Sequence, residues 1–379
     1  MESGPSSYCK GMEFFMFETP LRAAHERAGA TLGTYLGCLL PERFTDFSSE
    51  YRHARDGVAL LDTNWHALAA FTGPDRSRYL NAVLSNNIQI LKDGQGCLAL
   101  LLNPQGHVLA ELECHALADQ IYVRSAAEVR ERTHATLERF IIMDDVTLVD
   151  RSLEDGSIAL EGPRAGEVIG KLCGAPGGYA SAEEMPEFAS VAVSINTHHC
   201  RLIRRSHFGS SGFELVSPRA GLLALWQGLR DAAHTCGGGP VGYAALEALR
   251  IQAGVKYFGP DFDDTVIPQE AGLETTHISF SKGCYTGQEI VERVRSRGHV
   301  NRSLVGLEFD TRTAPGHGAK LAAEGKDVGQ VTSAAFSPAL ARVIGLGYLR
   351  REHNAAGSVV ECAGEAARVV ALPFEPARR

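Results

Sequence analysis

The feature that most constrains the fold is a change of pattern near residue 303. Upstream, short apolar or alternating runs are interleaved with helical stretches; downstream, only short strands and glycine turns follow one another. The downstream runs are Ser303 to Phe309, Ala319 to Ala322, Asp327 to Thr332, Ala341 to Leu349, Ser358 to Cys362 and Ala366 to Ala371. Their regular spacing predicts a small antiparallel β-barrel. From about 66 to 150, runs at His66 to Phe71, Cys97 to Leu102, Val108 to Cys114 and Gln120 to Val123 read as strands, with helices at Asp75 to Leu84 and Ala126 to Phe140. A similar set follows, with strands at Ser157 to Glu161, near Val191 and Leu202, and at Phe213 to Val216, and helices at Arg164 to Leu172 and Ala220 to Ala233. The order is α+β and not a regular βαβ series. At 379 residues the chain exceeds what one core usually serves. The expected division is therefore a poorly ordered leader over 1–18, two related α+β modules over 19–302, and the barrel over 303–379. A helix is expected to open at Thr19, Pro20 and Leu21 and to end at Gly29.

Composition narrows the function classes. A net charge of -8 argues against wholesale nucleic-acid binding, which needs a surplus of Lys and Arg. Nine cysteines at 9, 38, 97, 114, 173, 200, 236, 284 and 362 form no CxxC pair, so neither a disulfide scaffold nor a zinc ribbon is expected. No metal site is expected. No targeting signal and no apolar stretch of membrane-spanning length is visible, which together point to the reducing cytoplasm.

Two short segments carry chemistry. The run Lys282, Gly283, Cys284, Tyr285, Thr286, Gly287, Gln288, Glu289 places a thiol before a helix start, with Thr286 and Glu289 at capping-box spacing. There, Lys282 and the helix dipole favour a thiolate at Cys284; the alternative is a small packed cysteine in a glycine-bracketed loop. Glu214 interrupts the apolar run Phe213 to Val216. Facing inward, it needs a partner, such as a ring edge offering two parallel N–H donors; facing outward, it is a solvated edge residue. By contrast, the GxGxxG-like run Gly237 to Gly242 follows a helix and contains a proline, so it is structural. His198, His199 and Cys200 alternate across a strand and form no ligand set. The arginines from Arg293 to Arg302 read as a solvated face or as a grip for a polyanion.

Taken in order, the motifs resemble those of the glycine-cleavage T-protein (aminomethyltransferase) superfamily from about Thr19 to the C-terminus. They are TPL with His25 and Gly29, LLNPQG at 101–106, HFGSSGFEL at 207–215, LEALRIQAG at 246–254, YFGPD at 257–261, IPQEAGL at 267–273 and GQVTSAAFSP at 329–338. KGCYTGQE is similar to the signature of the YgfZ branch. The resemblance implies a three-domain ring of two ferredoxin-like modules and a barrel around a site for tetrahydrofolate or a one-carbon derivative. It also implies that Glu214 binds the pterin. Departures are equally specific: the family's paired aspartates are gone from the corresponding stretch Gly106 to Glu111, with Glu111 as the candidate substitute, its folate-contacting tyrosine falls on His207, its binding arginine on Leu246 and an asparagine on Ala126. Arg250, one turn beyond Leu246, is the candidate to take over an anionic contact. From this pattern the expected function is YgfZ-type folate binding in support of iron–sulfur cluster assembly or repair, and so of cluster-dependent tRNA modification. Cys284 and Lys282 would form the reactive site, with iron–sulfur proteins or assembly factors as partners. The alternatives are an aminomethyltransferase with Glu111 as its acid, and a folate-regulated scaffold without catalysis.

Overall fold

The computed structural model describes residues 17–374. Residues 1–16 of the expected leader, with Cys9, lie outside the described residues. An antiparallel five-stranded sheet, a mixed six-stranded sheet, their helices and a closed six-stranded barrel form an α+β fold. The first sheet has the strand order Gly96–Leu102, Val108–Ala116, Ile121–Ala126, His66–Thr72, Thr147–Asp150. The second runs Ser190–Ile195, His198–Arg204, Gly212–Pro218, Asp155–Glu161, Ala59–Asp62, Gly239–Pro240. The barrel closes Arg302–Phe309, Arg342–Arg350, Lys326–Ser337, Lys320–Ala323, Val359–Cys362 and Glu365–Val370. Among the described residues no helix is long and apolar enough to cross a membrane.

The second sheet is not consecutive in sequence. Its strand Ala59–Asp62 comes before the whole first sheet and pairs antiparallel with Asp155–Glu161 after it. The segment ahead of it forms a small sheet of its own, in which Cys38–Arg43 pairs with both Phe17–Glu18 and Thr31–Tyr35. The expected opening helix is shorter than its sequence cues suggest, running Arg22–Arg27. The N-cap is Leu21, with no side-chain cap; Thr19 stands ahead of it, donating its hydroxyl to the buried Asp62 at 2.6 Å and accepting the Leu21 N–H at 3.1 Å.

Period-two alternation explains how the sheets meet. Ala69 and Phe71 face Tyr79, Leu80 and Leu137 on the helices Arg76–Val83 and Arg130–Arg139. Their neighbours Leu68 and Ala70 turn the other way and pack with Tyr122 against Ile203 and Val216 of the second sheet. That second sheet in turn covers its far face with Val168, Ile169, Leu222, Leu225 and Trp226 from the helices Ala165–Cys173 and Arg219–Thr235. Two residues along each strand from the apolar inter-sheet contact, the sequence switches to polar groups. Leu68 is succeeded by His66, Tyr122 by Arg124, Val216 by Glu214 and Ile203 by Arg205. The space between the sheets is therefore apolar at one end and polar at the other.

Candidate functional site

The polar end opens into a pocket of about 480 Å³, counting its mouth. Leu36, Trp65, Leu98, Tyr257 and Phe258 supply apolar and flat walls; Glu111, Glu113, Arg124, Arg205, His66 and His207 supply the polar ones. Glu111 and Glu113 are two apart on the strand Val108–Ala116, so both point to the same side. Directly across the strands, Glu113 pairs in register with Arg124.

Arg124 is fully buried and organises the floor. Its Nη1 donates to Glu113 Oε1 at 2.9 Å, and its Nη2 donates to Glu214 Oε1. Glu113 also takes Nε of Arg205 on Oε2 at 2.8 Å and the His115 ring on Oε1 at 2.8 Å. Glu214 receives Thr63 Oγ1 on Oε1 at 2.7 Å and faces His207 Nε2 with Oε2 at 3.1 Å. Burial by itself favours the neutral acid in both carboxyls and is the largest single influence, but Arg124 acting together with Arg205 and His115 at Glu113, and with His207 and His66 at Glu214, outweighs it and holds both well below the usual carboxylate range. His66 is pushed down to about 3 by burial and then by Arg124, so it is a neutral ring beside the ion pairs. Glu161 fixes the turn that carries His207 by accepting the main-chain N–H groups of His207, Phe208 and Ser210.

Glu111 differs from the other two carboxylates. It has no guanidinium within ion-pair distance; its Oε1 meets His277 Nε2 at 2.8 Å. Three carboxylates, Glu111, Glu113 and Glu214, therefore share two guanidinium groups, Arg124 and Arg205, and both guanidiniums are committed to Glu113 and Glu214. Glu111 is the carboxylate left partly open to the pocket, with 22% of its side chain exposed. This is the group suited to exchange a proton with a bound molecule.

The residues singled out from sequence are placed as follows. His207 and Glu111 line the pocket. Glu214 faces inward but is completely buried behind Arg124 and His207, with both oxygens engaged. Arg250 is also completely buried and lies away from the pocket wall. All five of its N–H donors are in use: Nε on Glu247 Oε1 at 2.5 Å, Nη1 on Asp261 Oδ2 and Val255 O, Nη2 on Glu247 Oε2 and Ser333 Oγ. It is a tie between helix and barrel, with no donor left for a ligand.

The thiol segment departs from expectation. The helix runs Gln288–Arg297 with Gly287, not Thr286, at its N-cap and no side-chain cap, so the capping box does not form. Gly287 takes that position because φ is +82° and a Cβ there would stand 2.6 Å from Asn103 O in the LLNPQG turn. Lys282 is committed to other groups: its Nζ donates to Asn81 O and Leu84 O at the end of the helix Arg76–Val83, and it lies 4.7 Å from the Tyr285 ring centroid. Burial pushes that ammonium down to about 8. Cys284 is exposed and does not line the pocket. Sequence reasoning missed Glu113, Arg124, Arg205 and His277. Glu113 and Arg124 had a readable sign, since each breaks an apolar strand as Glu214 does; His277, in a four-residue helix, had none.

Comparison with known proteins places this geometry. Residues 21–282 match the GCVT N-terminal domain and residues 302–375 match the glycine cleavage T-protein C-terminal barrel domain. An aminomethyltransferase of Desulforamulus reducens is 29% identical over 333 residues, covering 87% of this chain and 89% of that protein. One from Rubrobacter xylanophilus is 29% identical over 362 residues, 95% of each chain. The crystal structure of glycine cleavage system aminomethyltransferase T from Bartonella henselae superposes with a TM-score of 0.86 at 27% identity, covering 96% of this chain and 99% of that one. These findings overturn the expectation of YgfZ-type iron–sulfur maintenance. The similar proteins carry the name of the transferase.

Proposed function

The chain belongs to the glycine cleavage T-protein family, and from that membership and its pocket we propose that it is an aminomethyltransferase acting with tetrahydrofolate. The observation that carries the reading is Glu111: a carboxyl in the pocket wall, on the strand after the Gly106 turn, with no guanidinium at ion-pair distance among the described residues. The reaction moves a methylene from the aminomethyl thioether of a lipoyl protein to two folate nitrogens. The carbon–sulfur and carbon–nitrogen bonds break and two carbon–nitrogen bonds form. The two folate N–H protons end on the released ammonia and thiol. Glu111 is the group that takes a proton from a folate nitrogen and delivers one to the departing amine.

The pocket suits a pterin. Trp65, Tyr257 and Phe258 offer flat apolar surfaces, and Glu113 offers acceptors to ring N–H groups. Arg124 Nε is buried and has no acceptor among the described residues, a deficit that a pterin carbonyl oxygen would meet. Glu214 acts from behind by holding Arg124 and His207 in place. The test is direct: with aminomethylated lipoyl protein and tetrahydrofolate, the chain should release ammonia at enzymatic rates, and Glu111→Gln should lower kcat by about 10²–10⁴-fold. Folate binding without ammonia release would instead favour a folate-regulated scaffold.

A further inference from the structure

The family's aspartates are replaced here by a glutamate, and one more methylene adds one more rotatable bond between the backbone and the reacting carboxyl. Proton transfer depends on that carboxyl's position to within fractions of an ångström. Glu111 therefore needs a second support, and the structure supplies one from a segment 166 residues away in sequence.

We propose that His277 is a positioning residue for Glu111, fixing one carboxyl oxygen so that the other is presented to the substrate. His277 closes the short helix Glu274–His277 and is 4% exposed. Each of its polar atoms is engaged. The main-chain N–H donates to Leu273 O at 3.0 Å, and the main-chain carbonyl accepts from Ser85 Oγ at 2.7 Å. Ring Nδ1 meets Thr276 Oγ1 at 2.7 Å and Nε2 meets Glu111 Oε1 at 2.8 Å. With the backbone anchored on both sides and the ring held at Nδ1, the imidazole has little freedom, and neither does the oxygen it grips. Ser85 adds to the anchor by donating to the His277 carbonyl while its own carbonyl takes Ser279 N–H at 3.0 Å.

The far oxygen, Oε2 of Glu111, has no protein partner among the described residues. Other charged groups near Glu111 do not compete for it. Arg205 is turned to Glu113 Oε2 and Ser206 O, and Glu113, two residues along the strand, is paired with Arg124, Arg205 and His115. The arrangement divides the carboxyl into one oxygen for geometry and one for chemistry. No hydrogen-bonding pattern within Glu111's own strand achieves this, which is why the support comes from outside the sheet.

This inference rests on the transferase reading of Glu111, and the experiment separates the two. Steady-state ammonia release is measured for the wild-type chain, His277→Ala, His277→Gln, Glu111→Gln and the double variant Glu111→Gln/His277→Ala. A glutamine at 277 retains a side-chain N–H donor without a titrating ring. The expected result is a roughly ten- to hundredfold loss of kcat in His277→Ala with the KM for tetrahydrofolate changed less than about twofold. His277→Gln should recover most of that loss, and the double variant should be no slower than Glu111→Gln alone. An unchanged kcat in His277→Ala, or multiplicative losses in the double variant, overturns the proposal. Failure of His277→Gln to recover activity while its melting temperature matches wild type also overturns it, in favour of a ring that moves protons itself. If the wild-type chain releases no ammonia, the transferase reading falls. The same four variants are then compared by urea denaturation, where additive losses of stability at 111 and 277 overturn the pairing and non-additive losses uphold it.

Discussion

Arg124 holds two carboxylates at once, and its removal would leave Glu113 and Glu214 buried beside each other with too little positive charge. Breaking a buried pair in this way costs about 3–5 kcal/mol. Arg124→Ala should therefore lose about that much stability in urea denaturation at neutral pH. The sign of the pH dependence follows from the same groups. Glu214 sits well below the ordinary value of 4.5, so its contribution is full above that value and is lost as pH falls through the depressed one. In the wild-type chain this loss belongs to strongly acid conditions. Without Arg124 the depression goes with it, and acid unfolding, followed by circular dichroism, should begin at a distinctly higher pH. At Cys284 the expectation is the opposite of a key residue: Cys284→Ser should keep stability within about 0.5 kcal/mol. It should also keep ammonia release within twofold, and a tenfold loss of turnover would restore a catalytic thiol.

Elements are joined through close backbone contacts as much as through side chains. The loop ahead of the helix Gln288–Arg297 docks on the turn after Leu102, where Gly287 and Gly106 approach each other and Gly106 faces Ile290. Any side chain at 287 both collides with Asn103 O and must adopt a left-handed backbone. Gly287→Ala is expected to lower stability by more than the ~1–2 kcal/mol of the backbone term alone, read as a fall in melting temperature. A loss smaller than that would mean the loop shifts freely, contrary to its packing. Lys282 works at the same scale, bringing a cation to the carbonyl end of the helix Arg76–Val83 where the dipole favours it.

Across the whole molecule, a buried polar knot helps tie the barrel to the modules. Arg250 bridges Glu247 on the helix Tyr243–Gln252, Asp261 in the following loop and Ser333 on the barrel strand Lys326–Ser337. Asp261 returns to Thr332 and Ser333 through its other oxygen at 2.8 and 2.6 Å. Arg250→Ala strands Asp261 in the interior and should separate the barrel's melting from that of the modules in calorimetry. A single transition at the wild-type temperature would show that the coupling does not depend on this knot.

The sequence by itself determined the local elements and the choice of face. The barrel strand expected at Ser303 to Phe309 runs Arg302–Phe309, and the helix expected at Ala220 to Ala233 runs Arg219–Thr235. Both rest on periodicity within a single stretch of chain, which depends only on neighbours. Glu111, Glu214 and His207 were legible because each is a polar group inside an apolar pattern or a family motif. Tertiary structure decided everything that depends on which faces meet. Arg124 reaches Glu214 across 90 residues, His277 reaches Glu111 across 166, and the strand Ala59–Asp62 pairs with Asp155–Glu161, which follows the whole first sheet in sequence. Local sequence sets where a side chain points, but the partner that satisfies its charge is chosen when two sheets exclude water between them. That choice turned Glu214 into a buried support and Arg250 into a tie, and it left Glu111 as the carboxyl open to the pocket.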